Sequence, residues 1–285
     1  SNGFMVLPLL LFVITKIKQA SSFKSGFKFF LIGVAGAAVG FLAGFPQTVL
    51  YGIAFAFVYA IFLDFTGSYA NKTSIFNRFR SSASLIAIVI SGAVIALPQL
   101  IPSFEYLKFS VRTTGYTADV FHRPPFLSYI VSFFLPDSFN VQFLTSGVAG
   151  VYIGALPLIF AVIAVVFFRT KKVLFFFSSF IFISTMAVAL PGVAWINNNL
   201  PIFSRISDVG RWFIIGSLPI SFLGAFGYEQ LLRQKQDWFN QKPFKLFMRF
   251  LGAFVSSMFL LVAAANAIIF VILSNQELKI RILNF

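Results

Sequence analysis

The stretch SLIAIVISGAVIALPQLIPSFEYLKFSVR, residues 84–112, decides how the chain is read. Its first part, SLIAIVISGAVIA, carries no charge and has the composition of a membrane-crossing helix, for which about 20 mostly apolar residues are needed. Directly behind it come Gln99, Pro102, Glu105, Lys108, Ser110 and Arg112. Pro98 and Pro102 each lack a backbone N–H and disturb a helix that contains them. In lipid the freed carbonyls need other partners, so such a break belongs against protein or a wet cavity. If the helix persists, Gln99 and Pro102 share a face, and Glu105 and Arg112 fall at the membrane boundary. A plainer account makes the group a helix end with ordinary interfacial charges.

The rest of the chain extends the membrane reading. Of 285 residues 59% are hydrophobic and 11% charged, with mean hydropathy +0.90; soluble domains carry about 25% charged residues and need them to cover a wet surface. Eight apolar segments stand near residues 3–15, 28–44, 48–64, 83–101, 149–168, 173–192, 211–228 and 250–273. The second and third are joined by AGFPQT, residues 43–48, a link short enough to make an antiparallel hairpin. The expectation is an all-α integral membrane protein, one polytopic domain over 1–285, with about eight transmembrane helices. The chain opens on Ser1 with no basic stretch before its first apolar run, which reads as a piece of a longer protein.

A net charge of +14 invites a nucleic-acid reading. Sorting the charges by loop removes it. Segments 16–28, 64–80, 169–172 and 229–249 hold fifteen basic residues against three acids, net +12, and the opposite side holds seven against five, net +2. Lys and Arg accumulate on cytoplasmic loops. The first side is therefore expected in the cytoplasm, within a cytoplasmic (inner) membrane, with both chain ends outside and no nucleic acid as partner.

The outer loops, about 102–148 and 193–210, are the longer ones, and long ordered loops usually carry function. In the first, RPPFLSYIVSFFLP (123–136) has an apolar run too short to cross, so a membrane-parallel helix is expected within about 124–135. In the second, Arg205, Asp208 and Arg211 of LPIFSRISDVGRWF (200–213) lead straight into a span. Arginine stays ionised and grips phosphate bidentately; alternatively Asp208 pairs with one arginine and the group is structural. GVAGVYIGALPL (147–158), with Tyr152, has the small-residue spacing of close helix packing. The chain has no cysteine and one histidine, His122, so disulfides and Cys or His metal clusters are out of reach. No phosphate-cradling glycine motif occurs, and no cofactor or metal is expected.

AGFPQTVLYG (43–52), LPQLIPSFEYLKFSVR (97–112), GVYIGALPL (150–158) and LPIFSRISDVGRWF (200–213), in this order among these spans, resemble the bacterial YfhO-like membrane proteins of the C-type glycosyltransferase superfamily. The resemblance covers about residues 4–232 and departs at Phe45, where the family often has histidine. It implies an extracytoplasmic transferase that moves a sugar from a polyprenyl-phosphate carrier to a cell-envelope glycopolymer or lipid acceptor. The substrate-binding candidates it implies are Gln47, Gln99, Glu105, Arg112, Tyr152, Arg205 and Arg211. The arginines would hold carrier phosphate, and Glu105 or Asp119 would meet sugar hydroxyls. The superfamily's catalytic acid lies in the first outer loop, upstream of Ser1, so no catalytic residue is assigned here. The alternatives are a lipid-linked sugar transporter or flippase, and a non-catalytic envelope assembly protein.

Overall fold

The computed structural model describes residues 5–43, 46–66, 78–109, 153–187, 212–234 and 241–250, together with 252, 253, 256, 257 and 260. All regular structure among them is helical. The chain divides into two compact units, Ser1–Tyr228 and Glu229–Phe285.

Leu7, Leu10, Ile14 and Ile17 recur at helical spacing and are all buried, as are Val6, Leu11 and Val13 between them. They belong to α1 (Val6–Gln19), which packs against α2 (Phe23–Leu42), α3 (Pro46–Thr66) and α4 (Arg80–Ile95). The segment that looks like a shortened span is thus the buried centre of a four-helix group. Ser22 caps α2, its hydroxyl accepting from Ser25 N–H at 3.3 Å. Helix α2 lies mainly on α1 and α4 and touches its sequence neighbour α3 less.

Small residues set these approaches. A Cβ on Gly92 of α4 would lie 2.6 Å from Ala37 Cβ and 2.9 Å from Ala38 N, both on α2. Apolar surface gains little by leaving lipid for protein, so helices in a bilayer associate through close backbone packing and hydrogen bonds. The α1–α3 contact uses the second device: Thr15 Oγ1 and Tyr59 OH are 3.1 Å apart.

Helix α4 does not run on to residue 101. At Ala96 the chain turns by 78° into α5 (Leu97–Lys108), so the apolar run 83–101 is two helices. Pro98 cannot donate an N–H back across the turn, whereas Gln99 N–H and Leu100 N–H both bond to Ala96 O at 3.0 Å and restart the helix. Pro102 sits inside α5, and Ser103 Oγ donates to Gln99 O at 2.8 Å beside it. Residues 102–108, expected as the start of a loop, are helical.

The first unit continues with α6 (Ala155–Phe167), α7 (Lys171–Ala187) and α8 (Trp212–Arg233), whose last turn enters the second unit. Gly154 precedes α6 with φ 91°, a left-handed conformation that side chains with a Cβ avoid. Gly224 and Gly227 let α8 cross α6 closely; a Cβ on Gly227 would fall on Phe160 O. Aromatic rings join α7 to its neighbours: Phe175 stacks on Phe62 of α3 at 4.2 Å, and Phe176 on Phe222 of α8 at 4.8 Å. Each such pair adds about 0.5–1.5 kcal/mol beyond its buried area. In the second unit residues 242–250 are helical, with Phe244 buried.

By length and composition, residues 24–42 of α2 and 48–66 of α3 can cross a membrane, and the bent α4–α5 pair makes a third candidate. The expected total of eight spans reaches beyond the described residues.

Candidate functional site

The four-helix group has two chemically distinct ends. Lys16, Lys18, Lys24, Lys28, Arg78 and Arg80 all lie at one, on the last turns of α1, the first turns of α2 and the start of α4. Asp64, near the end of α3, is the sole carboxylate in α1–α4 and is 1% exposed. It accepts from Lys18 Nζ at 2.8 Å, Ser81 N–H at 3.1 Å, Ser82 N–H at 3.0 Å and Ser82 Oγ–H at 2.7 Å. The residue preceding α4, Phe79, offers no capping side chain. Asp64 therefore caps α4 from another helix, satisfying orphan N–H groups and placing a negative charge at the positive end of the helix dipole. Lys18 also donates to Arg78 O at 2.8 Å, and Arg80 Nη1 to Ala20 O at 3.1 Å.

The other end carries the residues singled out from the sequence. Gln99 and Glu105 are both exposed on α5, six positions apart and so on different sides of the helix. Among the described residues Glu105 has no ion pair or hydrogen-bond partner. Leu97, Ile101, Phe104 and Tyr106 are exposed beside them, from 42% to 77%. Gln47 falls in the first turn of α3. One turn on, Tyr51 is buried and stacks on Trp212 at 3.9 Å, which draws the start of α8 to the first half of α3. Trp212 follows Arg211 directly. Arg112, Tyr152, Arg205 and Arg211, with the surface helix expected at 124–135 and Asp119, lie outside the described residues.

Between α3 and α4 an open groove of about 330 Å³ is lined wholly by apolar side chains, among them Leu50, Phe57, Leu85 and Ile90. No group of three His, Cys, Asp or Glu side chains that could hold a metal ion stands among the described residues.

Sequence reading missed two features here. Asp64 registered only as an acid at a cytoplasmic helix end, because its donors come from positions 17 and 18 further on and from Lys18, 46 back. Tyr51 and Trp212 drew no separate reading from the sequence; an aromatic residue at the very start of an apolar run, next to Arg211, was the available signal. No protein-family model, curated protein or solved structure matches the chain.

Proposed function

We propose that the chain is the membrane part of an extracytoplasmic sugar transferase that takes its donor from a polyprenyl-phosphate carrier, anchored in an inner membrane by about eight spans. The observation that carries this reading is the 78° turn at Ala96. A charge-free helix ends there, and a helix bearing Gln99 and Glu105 leaves it nearly at right angles, at the end remote from the six clustered cations. A helix so placed lies along the bilayer surface, where a carrier's phosphate and sugar emerge from lipid. Arg112 follows it in sequence, and Arg205 and Arg211 precede Trp212, which stacks on Tyr51 near the start of α3. Arginine's planar fork suits the carrier phosphate, and Gln47, Gln99, Glu105 and Tyr152 offer groups for sugar hydroxyls. The apolar groove between α3 and α4 offers the carrier's hydrocarbon chain a bed of matching chemistry. The acceptor is an envelope glycopolymer or lipid.

A transporter or flippase reading has less support. Ion-coupled carriers place ionisable groups near the midplane, and Asp64, the carboxylate within α1–α4, sits at a helix end with its oxygens engaged by Lys18, Ser81 and Ser82.

The test is binding of a radiolabelled polyprenyl-phosphate hexose to the chain in lipid nanodiscs. Arg112→Ala and Arg211→Ala should each weaken it about tenfold, as expected for loss of a charge-assisted hydrogen bond, while thermal unfolding stays unchanged. Parallel loss of binding and of folded protein would make the arginines structural.

A further inference from the structure

Helix α5 has two unlike faces, and little of it is packed. From Leu97 to Tyr106 every residue is exposed except Leu100, which is partly buried. At about 100° per residue, Leu97, Ile101 and Phe104 fall within one arc of about 60°. Gln99, Ser103 and Tyr106 fall within a second arc of equal width on nearly the opposite side, and Glu105 lies on the flank between them. The helix is amphipathic, yet its apolar arc stays 42% to 63% exposed.

The turn at Ala96 sets the depth of that arc. Helix α4 has 16 residues and starts at the cationic end of the four-helix group. At 1.5 Å per residue it is about 24 Å long, so it delivers Ala96 close to the far edge of a hydrocarbon core of about 30 Å. The 78° bend then carries α5 along that edge. A helix of about 10–12 Å diameter lying there reaches from acyl chains on one side to headgroups on the other. Three large apolar side chains are unfavourable in water, and at this depth the matter that covers them is acyl chain.

The opposite arc is uncharged. Gln99 offers an amide and Tyr106 a phenol, while Ser103 spends its proton on Gln99 O at 2.8 Å, which leaves its own oxygen to accept. Such a set suits a ligand of many hydroxyls rather than a phosphate, which calls for cations. Ser103 and Tyr106 stand about 4.5 Å apart along the helix axis, so one sugar ring can meet both. Tyr106 is 77% exposed. Its ring offers a flat apolar surface to the C–H face of a sugar, and its hydroxyl a polar partner.

We propose that α5 is rolled with Leu97, Ile101 and Phe104 in the acyl chains and Gln99, Ser103 and Tyr106 in the headgroup layer, where these three bind the hexose of the polyprenyl-phosphate donor. The roll requires only that α4 cross the bilayer. The identity of the ligand rests on the sugar-transfer reading.

The experiment has two arms, both on the chain in lipid nanodiscs. Spin labels on the single variants Gln99→Cys, Ile101→Cys, Phe104→Cys and Tyr106→Cys of this cysteine-free chain report the roll. Labels at 101 and 104 should relax with oxygen, which concentrates in lipid, and labels at 99 and 106 with a water-soluble nickel chelate. The reverse pattern, or labels at 101 and 104 shielded from both reagents by a protein partner or a second copy, overturns the proposal. The second arm compares binding of a polyprenyl-phosphate hexose with that of the bare polyprenyl phosphate. The hexose should tighten binding, and Tyr106→Ala should remove about tenfold from the hexose-bearing carrier alone. Tyr106→Phe, which keeps the ring, should lose less. Binding of both carriers with no gain from the hexose, or an equal effect of Tyr106→Ala on the two, overturns the site and leaves the sugar-transfer reading standing. Binding of neither carrier removes that reading and the site with it.

Discussion

Lys18 Nζ lies 2.8 Å from Asp64 Oδ1, with the two side chains 9% and 0% exposed, at the one end of α1–α4 where basic residues gather. The pair ties the last turn of α1 to the end of α3, and Asp64 in turn fixes the start of α4. Removing one partner of a buried pair strands the other charge. Asp64→Ala should cost about 3 kcal/mol or more, since the α4 cap goes with it. Asp64→Asn, which keeps an acceptor for the serine donors, should cost less. Lys18→Met combined with Asp64→Leu should be milder than the sum of the two single changes. Reversible unfolding in detergent micelles measures all five variants. Additive losses would show that the two residues do not act as a pair.

Gly227→Ala tests the α6–α8 crossing. The added methyl would fall 2.0 Å from Phe160 O, a backbone atom that cannot swing aside. A loss of about 1–3 kcal/mol or more is expected from overpacking. Gly252→Ala, where nothing lies within 4 Å, should be neutral or slightly stabilising. The difference in unfolding temperature between the two variants is the readout.

How much of this was legible in the sequence follows from how local each determinant is. The all-helical character and the gathering of cations need only composition and order. The turn at Ala96 announced itself through Pro98 and Pro102, although residues 102–108 read as loop because two prolines and several polar residues outweighed the helical geometry that Leu97–Lys108 adopts. The place of α1 was not legible. The short apolar run near residues 3–15 looks like a span cut short, and only the helices around it make it a core. Asp64 as the cap of α4, and Tyr51 against Trp212, join positions tens to more than a hundred residues apart, and no local pattern encodes such pairs. Of the candidate site, Gln99 and Glu105 are exposed on α5.

Orientation is open to direct labelling because the chain has no cysteine. Lys24→Cys and Glu105→Cys place a thiol at exposed positions on the two ends of the first unit. In intact cells a membrane-impermeant maleimide should modify the thiol at 105 and spare the one at 24 until the membrane is opened. The reverse pattern would invert the topology and move the proposed sugar site to the cytoplasm.

The central claim is that the outer end beyond Ala96 receives a polyprenyl-phosphate carrier. A polyprenyl phosphate with a photoreactive group next to its phosphate, illuminated with the chain in nanodiscs and followed by peptide mass spectrometry, reads its position directly. The account predicts adducts on peptides spanning residues 97–112 and 200–212, suppressed by excess unlabelled carrier and reduced in the Arg112→Ala and Arg211→Ala variants. Adducts scattered over exposed apolar residues away from that end and from the groove, such as Leu31, Val58 and Ile181, unaffected by competitor, would contradict it.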